Sequence, residues 1–577
     1  MDRKPIPQLN AFIISYKHIF DDYDQLNIKD LLTQLPSKKI IQLITAQMAY
    51  AYKKQNDQKV QYSSFLFYVE KLPPECKSKI EKYFEGIKQT PGFGVFTFLN
   101  NYAHLILMDS VFQNYNDLET NDVEDDLTDQ EYIVYFKLYL WASQKISDQQ
   151  QISNALYQEY SIENHCNWII TTQLPSYEFI GVQDFSIQFI KALYFFEFCE
   201  TNDIFKGYLN IFLDHYKLDS WKEYLMILFV MYRGVLEADN TPCILDIENE
   251  RPMLINFLEN LLINPSKYKA SNDFLSIRNK PFYQSDDKSV ILLNINFIVD
   301  KIYQGIQFSF AQLLVQYKAT FNNNIIKLPA DFLSIYGTEF SETDLFYKVI
   351  EYAFKKSNYV LKNGKQLNLI MKKGEPDFYI RDKQKIYLFE FKNIYINGET
   401  KHSYDFEKIS SEVSKKLVKN DDHPKGVTQL VNVIEKIGND EFEVIDNFNK
   451  NDIVIYPIIV YVDSSFDLPG FNYYMNKEFR KQLTEKSTSF SKNIQDLVLI
   501  NFDTLIQLQE LFLTKSLKLN YCLNEYYKHV LKTEALNKIS SFSMFIKQIQ
   551  IRFEKASHVK HFIERLTEFH KNFRNKN

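Results

Sequence analysis

The amino-acid sequence predicts a fold in three parts: a large N-terminal α-helical region, an α/β domain, and C-terminal helices. Two observations carry this. Through the first 262 residues apolar side chains recur at three- and four-residue spacing, the period of an amphipathic helix. Across 340–512 the pattern changes to short runs rich in β-branched and aromatic residues, alternating with helical stretches. Strand and helix in alternation predict a three-layer α/β/α core.

Residues 1–118 form the first helical segment, with apolar positions such as Ile28, Leu31, Leu32 and Leu35, and a loop expected at Pro91-Gly92-Phe93-Gly94. The acidic stretch from Glu119 to Glu131 reads as a solvated linker or helix start. Residues 132–330 form a second helical domain and connector. Amphipathic helices are expected at 132–146, 184–200, 203–216 and 219–237, their spacing suggesting stacked antiparallel packing. Within the connector, Ser289 to Val299 reads as a strand and Gln307 to Val315 as a helix.

The α/β segment spans 331–512. Ser341-Glu342-Thr343-Asp344 resembles a capping box opening a helix whose apolar face holds Phe346, Val349, Ile350, Ala353 and Phe354. At about 100° per residue Glu342 falls on that face, with Glu339 one turn earlier. Helices are expected from Asp405 to Asn420 and from Lys425 onward. The run Ile453 to Val462 is too continuously apolar for a one-sided strand and fits a central one. Leu497 to Asn501 repeats that pattern and leads into a helix from Asp503. Residues 513–577 form C-terminal helices with a basic end.

The chemistry concentrates in one hairpin. If Lys383-Gln384 is its tip, Arg381 pairs with Ile386, Tyr379 with Leu388, and the same register sets Asp377 opposite Glu390. Directly opposed residues have Cβ atoms roughly 5 Å apart, and like charges there repel, so the pair requires a compensating cation. Lys392 shares the face of Glu390, because side chains alternate along a strand. Two carboxylates with an adjacent ammonium make a metal pocket.

Pro376-Asp377, a twelve-residue gap, and Glu390-Phe391-Lys392 resemble the signature of the PD-(D/E)xK nuclease superfamily, the restriction-endonuclease-like fold. The resemblance implies a Mg²⁺- or Mn²⁺-dependent nuclease domain over 331–512. Asp377, Glu390 and the backbone carbonyl of Phe391 would hold the metal, with Lys392 beside the attacking water. It further implies an acidic residue on the first helix, Glu342 or in reserve Glu339, and a glutamine early in a following helix, Gln429. DNA is the implied substrate ahead of RNA. A long helical region joined to such a nuclease resembles bacterial anti-phage effectors, in which the extra region senses or restrains. The competing reading is a noncatalytic scaffold that keeps the fold and its motif.

Charge and composition limit the alternatives. Residues 331–577 carry a net charge of +4 and residues 1–330 one of −10, so the helical part is a poor DNA clamp and is expected to bind protein, self-associate or restrain the nuclease part. On that reading a chain beginning near Asn322 is more active than the whole. Five scattered cysteines exclude a zinc ribbon or disulfide framework and favour reduced thiols. No apolar run approaches the roughly 20 residues that span a bilayer, which predicts a cytoplasmic protein with no membrane partner. Phosphate-loop, dinucleotide, zincin and α/β-hydrolase motifs are absent.

Overall fold

The computed structural model describes residues 10–54, 57–89, 93–116, 127–154, 161–237, 242–247, 252–286, 288–371, 374–449, 452–486, 493–533, 536–550 and 558–574. Most of the acidic stretch, 119–126, lies outside the described residues, as do Pro91 and Gly92 of the expected loop. The chain is mostly helical with a mixed five-stranded sheet, an α+β architecture. It divides into two units, one of 1–156, 179–183 and 212–305, the other of 157–178, 184–211 and 306–577. Each gathers residues from more than one of the sequence segments.

The first unit is built on helices that include Ser37–Lys54, Gln58–Val69, Pro74–Lys88, Asn101–Gln113, Asp129–Asn154 and Trp221–Glu237. Their apolar faces merge into one core containing Ile40, Ile44, Phe65, Phe98, Leu107 and Tyr139. Phe93 and Gly94 do not belong to a loop: they open the strand Phe93–Thr97, which pairs in parallel with Asn10–Ile13. The stretch 289–299 is not a single strand either. Asn294 ends it by accepting the N–H of Asn296 at 2.8 Å, dividing the strand Ser289–Leu292 from the helix Ile295–Ile302. The connector therefore carries a three-stranded antiparallel sheet of its own, Ile244–Asp246, Ser289–Leu292 and Phe282–Asp286.

In the second unit, helix α1 is Phe185–Thr201, N-capped by Asp184. Helix α2 runs on through Pro329–Tyr336, a π-helical stretch Gly337–Phe346, and Tyr347–Phe354. The helix thus begins at Pro329, where proline fits the first turn and the Asp331 carboxylate accepts the N–H groups of Lys327 and Leu328, each at 2.9 Å. The expected start at Ser341 is corrected. Ser341 sits inside the helix, buried, with its hydroxyl unpartnered.

Strand β1 (Val360–Asn363), helix α3 (Gly364–Met371) and strands β2 (Phe378–Asp382) and β3 (Lys385–Lys392) follow. After them come α4 (Phe406–Leu417), α5 (Gly426–Gly438), β4 (Val454–Tyr461), α6 (Phe471–Glu485), β5 (Val498–Asn501) and α7 (Phe502–Leu513). The sheet order is β5-β4-β3-β2-β1, with β1, β2 and β3 antiparallel and β3, β4 and β5 parallel. As its unbroken apolar run requires, β4 is internal and buried along almost its whole length. Tyr379, Ile386, Leu388, Ile455 and Ile459 join a core with Val413, Leu430, Ile434 and Phe479 of α4, α5 and α6. The alternate residues Phe378, Phe389 and Phe391 meet Phe346 of α2, the closest pair being stacked at 4.8 Å between ring centroids.

Candidate active site

The β2–β3 hairpin has the register that alternation and the turn position dictate: Arg381 pairs with Ile386 and Tyr379 with Leu388, and Phe378 with Phe389 closes the ladder. Lys383 at its tip takes φ 56°, the left-handed conformation a two-residue hairpin favours. Outside the turn, Asp446 clamps Arg381 and accepts the Tyr379 hydroxyl at 2.9 Å. A one-residue slip would turn every side chain to the opposite face, so burial on both faces fixes the register.

Asp377 immediately precedes β2. Its Oδ2 accepts the Phe391 N–H at 2.6 Å, and its carbonyl accepts the Gly364 N–H at 2.8 Å. Glu390, with 0% exposure, lies in the interior of the sheet. Lys392 Nζ is 2.9 Å from Glu390 Oε2 and 3.8 Å from Asp377 Oδ2. The other oxygen of Glu390, Oε1, is buried and has no hydrogen-bond partner. The ring of Phe391 anchors this corner against Phe346 and Phe502.

From α2, Glu342 reaches the same group. Burial, and then the field of Asp377, push its carboxyl up to about 8, against the opposing pull of Lys392, the Tyr347 hydroxyl and Lys365. Glu390 is raised well above the ordinary carboxylate range, first by burial and then by Asp377. Asp377 is raised by burial although Lys392 and the Phe391 N–H favour its charged form. Burial alone would lower Lys392, but the carboxylates of Glu390 and Asp377 outweigh it and hold the ammonium charged. Three carboxyl groups therefore face one cation, and one of them, Glu390, is closed off from water.

No protein-family model, no curated protein and no solved structure matches this chain.

Whether this corner suits a divalent cation is a question for its donors. Among the described residues no group of three or more His, Cys, Asp or Glu side chains forms a ready cage. Mg²⁺ does not ask for one: it takes one or two carboxylates, keeps its waters, and prefers hard oxygen. The buried, unpartnered Glu390 Oε1 and the excess of carboxyl over ammonium fit such an ion.

Gln429 lies in the first turn of α5, half-buried, with its Oε1 also buried and unpartnered, and no hydrogen bond joins it to Asp377, Glu390 or Lys392. The Glu339 side chain makes no ion pair or hydrogen bond with that group, and its carbonyl accepts the Thr343 hydroxyl at 3.0 Å. Two residues at the site were not singled out from the sequence, Tyr347 and Gly364. Tyr347 is buried at 4% exposure beside Glu342, and Gly364 supports the Asp377 carbonyl. A tyrosine five residues after an acid carries no signal in a regular helix, where such residues point apart.

Proposed function

We propose that the second unit is a metal-dependent nuclease of the PD-(D/E)xK type, hydrolysing phosphodiester bonds of nucleic acid, DNA ahead of RNA. The observation that carries this reading is the Glu390 carboxyl, fully buried, with one oxygen unpartnered, beside Asp377 and with Lys392 as the shared counter-charge. Burying a carboxyl beside a second one is costly, and a scaffold would be served better by glutamine or an apolar residue there. A restriction-endonuclease-like three-layer core is part of the proposal. The mixed sheet with its motif on an antiparallel hairpin next to a parallel pair supports it.

Asp377, Glu390 and the Phe391 carbonyl are assigned to hold Mg²⁺ or Mn²⁺. When bound, such an ion supplies the Lewis acidity that activates water and neutralises phosphate charge. Lys392 orients the attacking water with its ammonium and donates to the phosphate as negative charge accumulates in the transition state. Glu342 positions a water of that ion from the helix side or helps bind a second ion. Burial of Glu390 keeps bulk water from competing for its oxygens. The wider reading is a defence effector whose remaining helical part binds a protein partner, another copy of the chain, or a sensed signal.

The full-length chain is to be incubated with supercoiled plasmid, linear DNA and RNA in Mg²⁺, Mn²⁺ or EDTA. Cleavage of at least one substrate with metal and none with EDTA is expected. Metal-independent cutting that survives Glu390→Gln would overturn the proposal.

A further inference from the structure

We infer that Tyr347 is the positioning residue for Glu342, and that the π-helical turn of α2 and the glycine at 364 exist at this site to let its hydroxyl take that place. The inference rests on the reading of the site as a metal-dependent nuclease.

Glu342 and Tyr347 are five residues apart on one continuous helix. In a regular α-helix residues five apart are rotated by about 140° and do not meet, since the neighbours are three and four apart. Where hydrogen bonds run from residue i to i+5, residues five apart come into line. The stretch Gly337–Phe346 is of that kind and leads directly into Tyr347. It sets the Tyr347 hydroxyl beside the Glu342 carboxyl, whose charged form the O–H favours.

The other side of the hydroxyl is defined just as closely. A Cβ placed on Gly364 would stand 2.7 Å from it, too near for any side chain. Gly364 also gives its N–H to the Asp377 carbonyl at 2.8 Å. The Tyr347 ring packs edge-on against Phe378, the residue after Asp377, at 5.8 Å between centroids. Tyr347 thus joins the helix that carries one acid to the segment that carries another, with its ring held and its hydroxyl directed at Glu342. Partners that orient a metal-binding site from behind typically contribute about 10–100-fold in metal affinity.

The test is a cycle of Tyr347→Phe, Glu342→Gln and the double variant, read by Mn²⁺ binding to the full chain in electron paramagnetic resonance titrations, with circular dichroism to confirm folding. Tyr347→Phe keeps the ring and removes the donor, and is expected to weaken Mn²⁺ binding about tenfold in the native background. In the Glu342→Gln background it is expected to have less than about a twofold effect, because the group through which it acts is gone. Equal losses in both backgrounds, or no loss in the native one, overturn the inference while leaving the nuclease reading intact. A native chain that binds no Mn²⁺ overturns both.

A second arm uses Gly364→Ala, which should weaken Mn²⁺ binding by driving the hydroxyl away. Adding Tyr347→Phe should then bring binding up to the level of Tyr347→Phe alone, since the next atoms near that Cβ are the Asp377 carbonyl oxygen at 3.3 Å and its Cα at 3.5 Å. Failure of the second substitution to relieve the first, in a folded chain, contradicts the geometry claimed for Gly364.

Discussion

Glu342→Gln should make the metal-free protein more stable, by an amount that grows with pH. The carboxyl of Glu342 is raised in the folded chain to about 8, by burial first and then by Asp377. An unfolded glutamate titrates near about 4.3. Between these values the native state binds more protons than the unfolded one, so stability is intact below the lower value and falls as pH rises through the window. Each unit of displacement corresponds to about 1.4 kcal/mol, which gives a ceiling of about 4 kcal/mol at pH 8 and about 1 kcal/mol at pH 5. Glutamine has no charge to bury and is free of this dependence. Urea denaturation in EDTA at pH 5 and pH 8, following the unfolding step of the second unit, measures the difference between native and variant. A gap of a few kcal/mol at pH 8 that shrinks at pH 5 is expected, and saturating Mn²⁺ should narrow it by giving the carboxylate a partner. Curves that stay parallel across this range would refute the reasoning, as would a native chain that gains on the variant at alkaline pH.

Further outcomes follow from the same arrangement. Glu390→Gln should abolish cleavage while leaving the metal-free chain at least as stable as native at pH 8, because it removes a fully buried carboxyl that lies beside Asp377, and thermal unfolding in EDTA checks this. Lys392→Met should abolish cleavage and destabilise the metal-free chain by about 3–5 kcal/mol at neutral pH, since it strips the counter-charge from a buried carboxylate, while nucleic-acid binding in a filter or polarisation assay persists. A chain beginning near Asn322 should be insoluble or poorly folded rather than hyperactive. It would lose α1, whose buried Lys191 holds Asp503 at 2.6 Å and whose Glu197 holds Arg565 at 2.7 Å; Asp503 would lose its ammonium, and Arg565 would keep only the 3.6 Å pair with Glu568.

The hairpin was legible because its signals are local: a two-residue tip, period-two alternation and aromatic flanks leave one register that buries the apolar set. The internal strand Val454–Tyr461 was legible for the same reason, since an unbroken apolar run has to be covered on both faces. Helix α2 was misread at its start. Ser341-Glu342-Thr343-Asp344 has the composition of a cap, but the segment from Pro329 had already begun the helix, and tertiary burial of Phe332, Tyr336 and Phe340 overrides the local preference. The π-helical turn has no composition of its own. With it the nearness of Tyr347 to Glu342 was hidden. The pairing of Asn10–Ile13 with Phe93–Thr97 was hidden as well, because parallel partners far apart in sequence leave no local trace.

The proposed activity requires that Asp377 and the buried Glu390 bind metal and act in cleavage, and one measurement addresses that directly. Calorimetric titration of Mg²⁺ or Mn²⁺ into the full chain is to be compared with titration into Asp377→Ala and Glu390→Gln, with cleavage followed on the same samples. Binding and metal-dependent cleavage in the native chain, both lost in each variant while the fold persists, is the predicted result. Cleavage that continues in either folded variant, or metal binding that neither substitution affects, would contradict it.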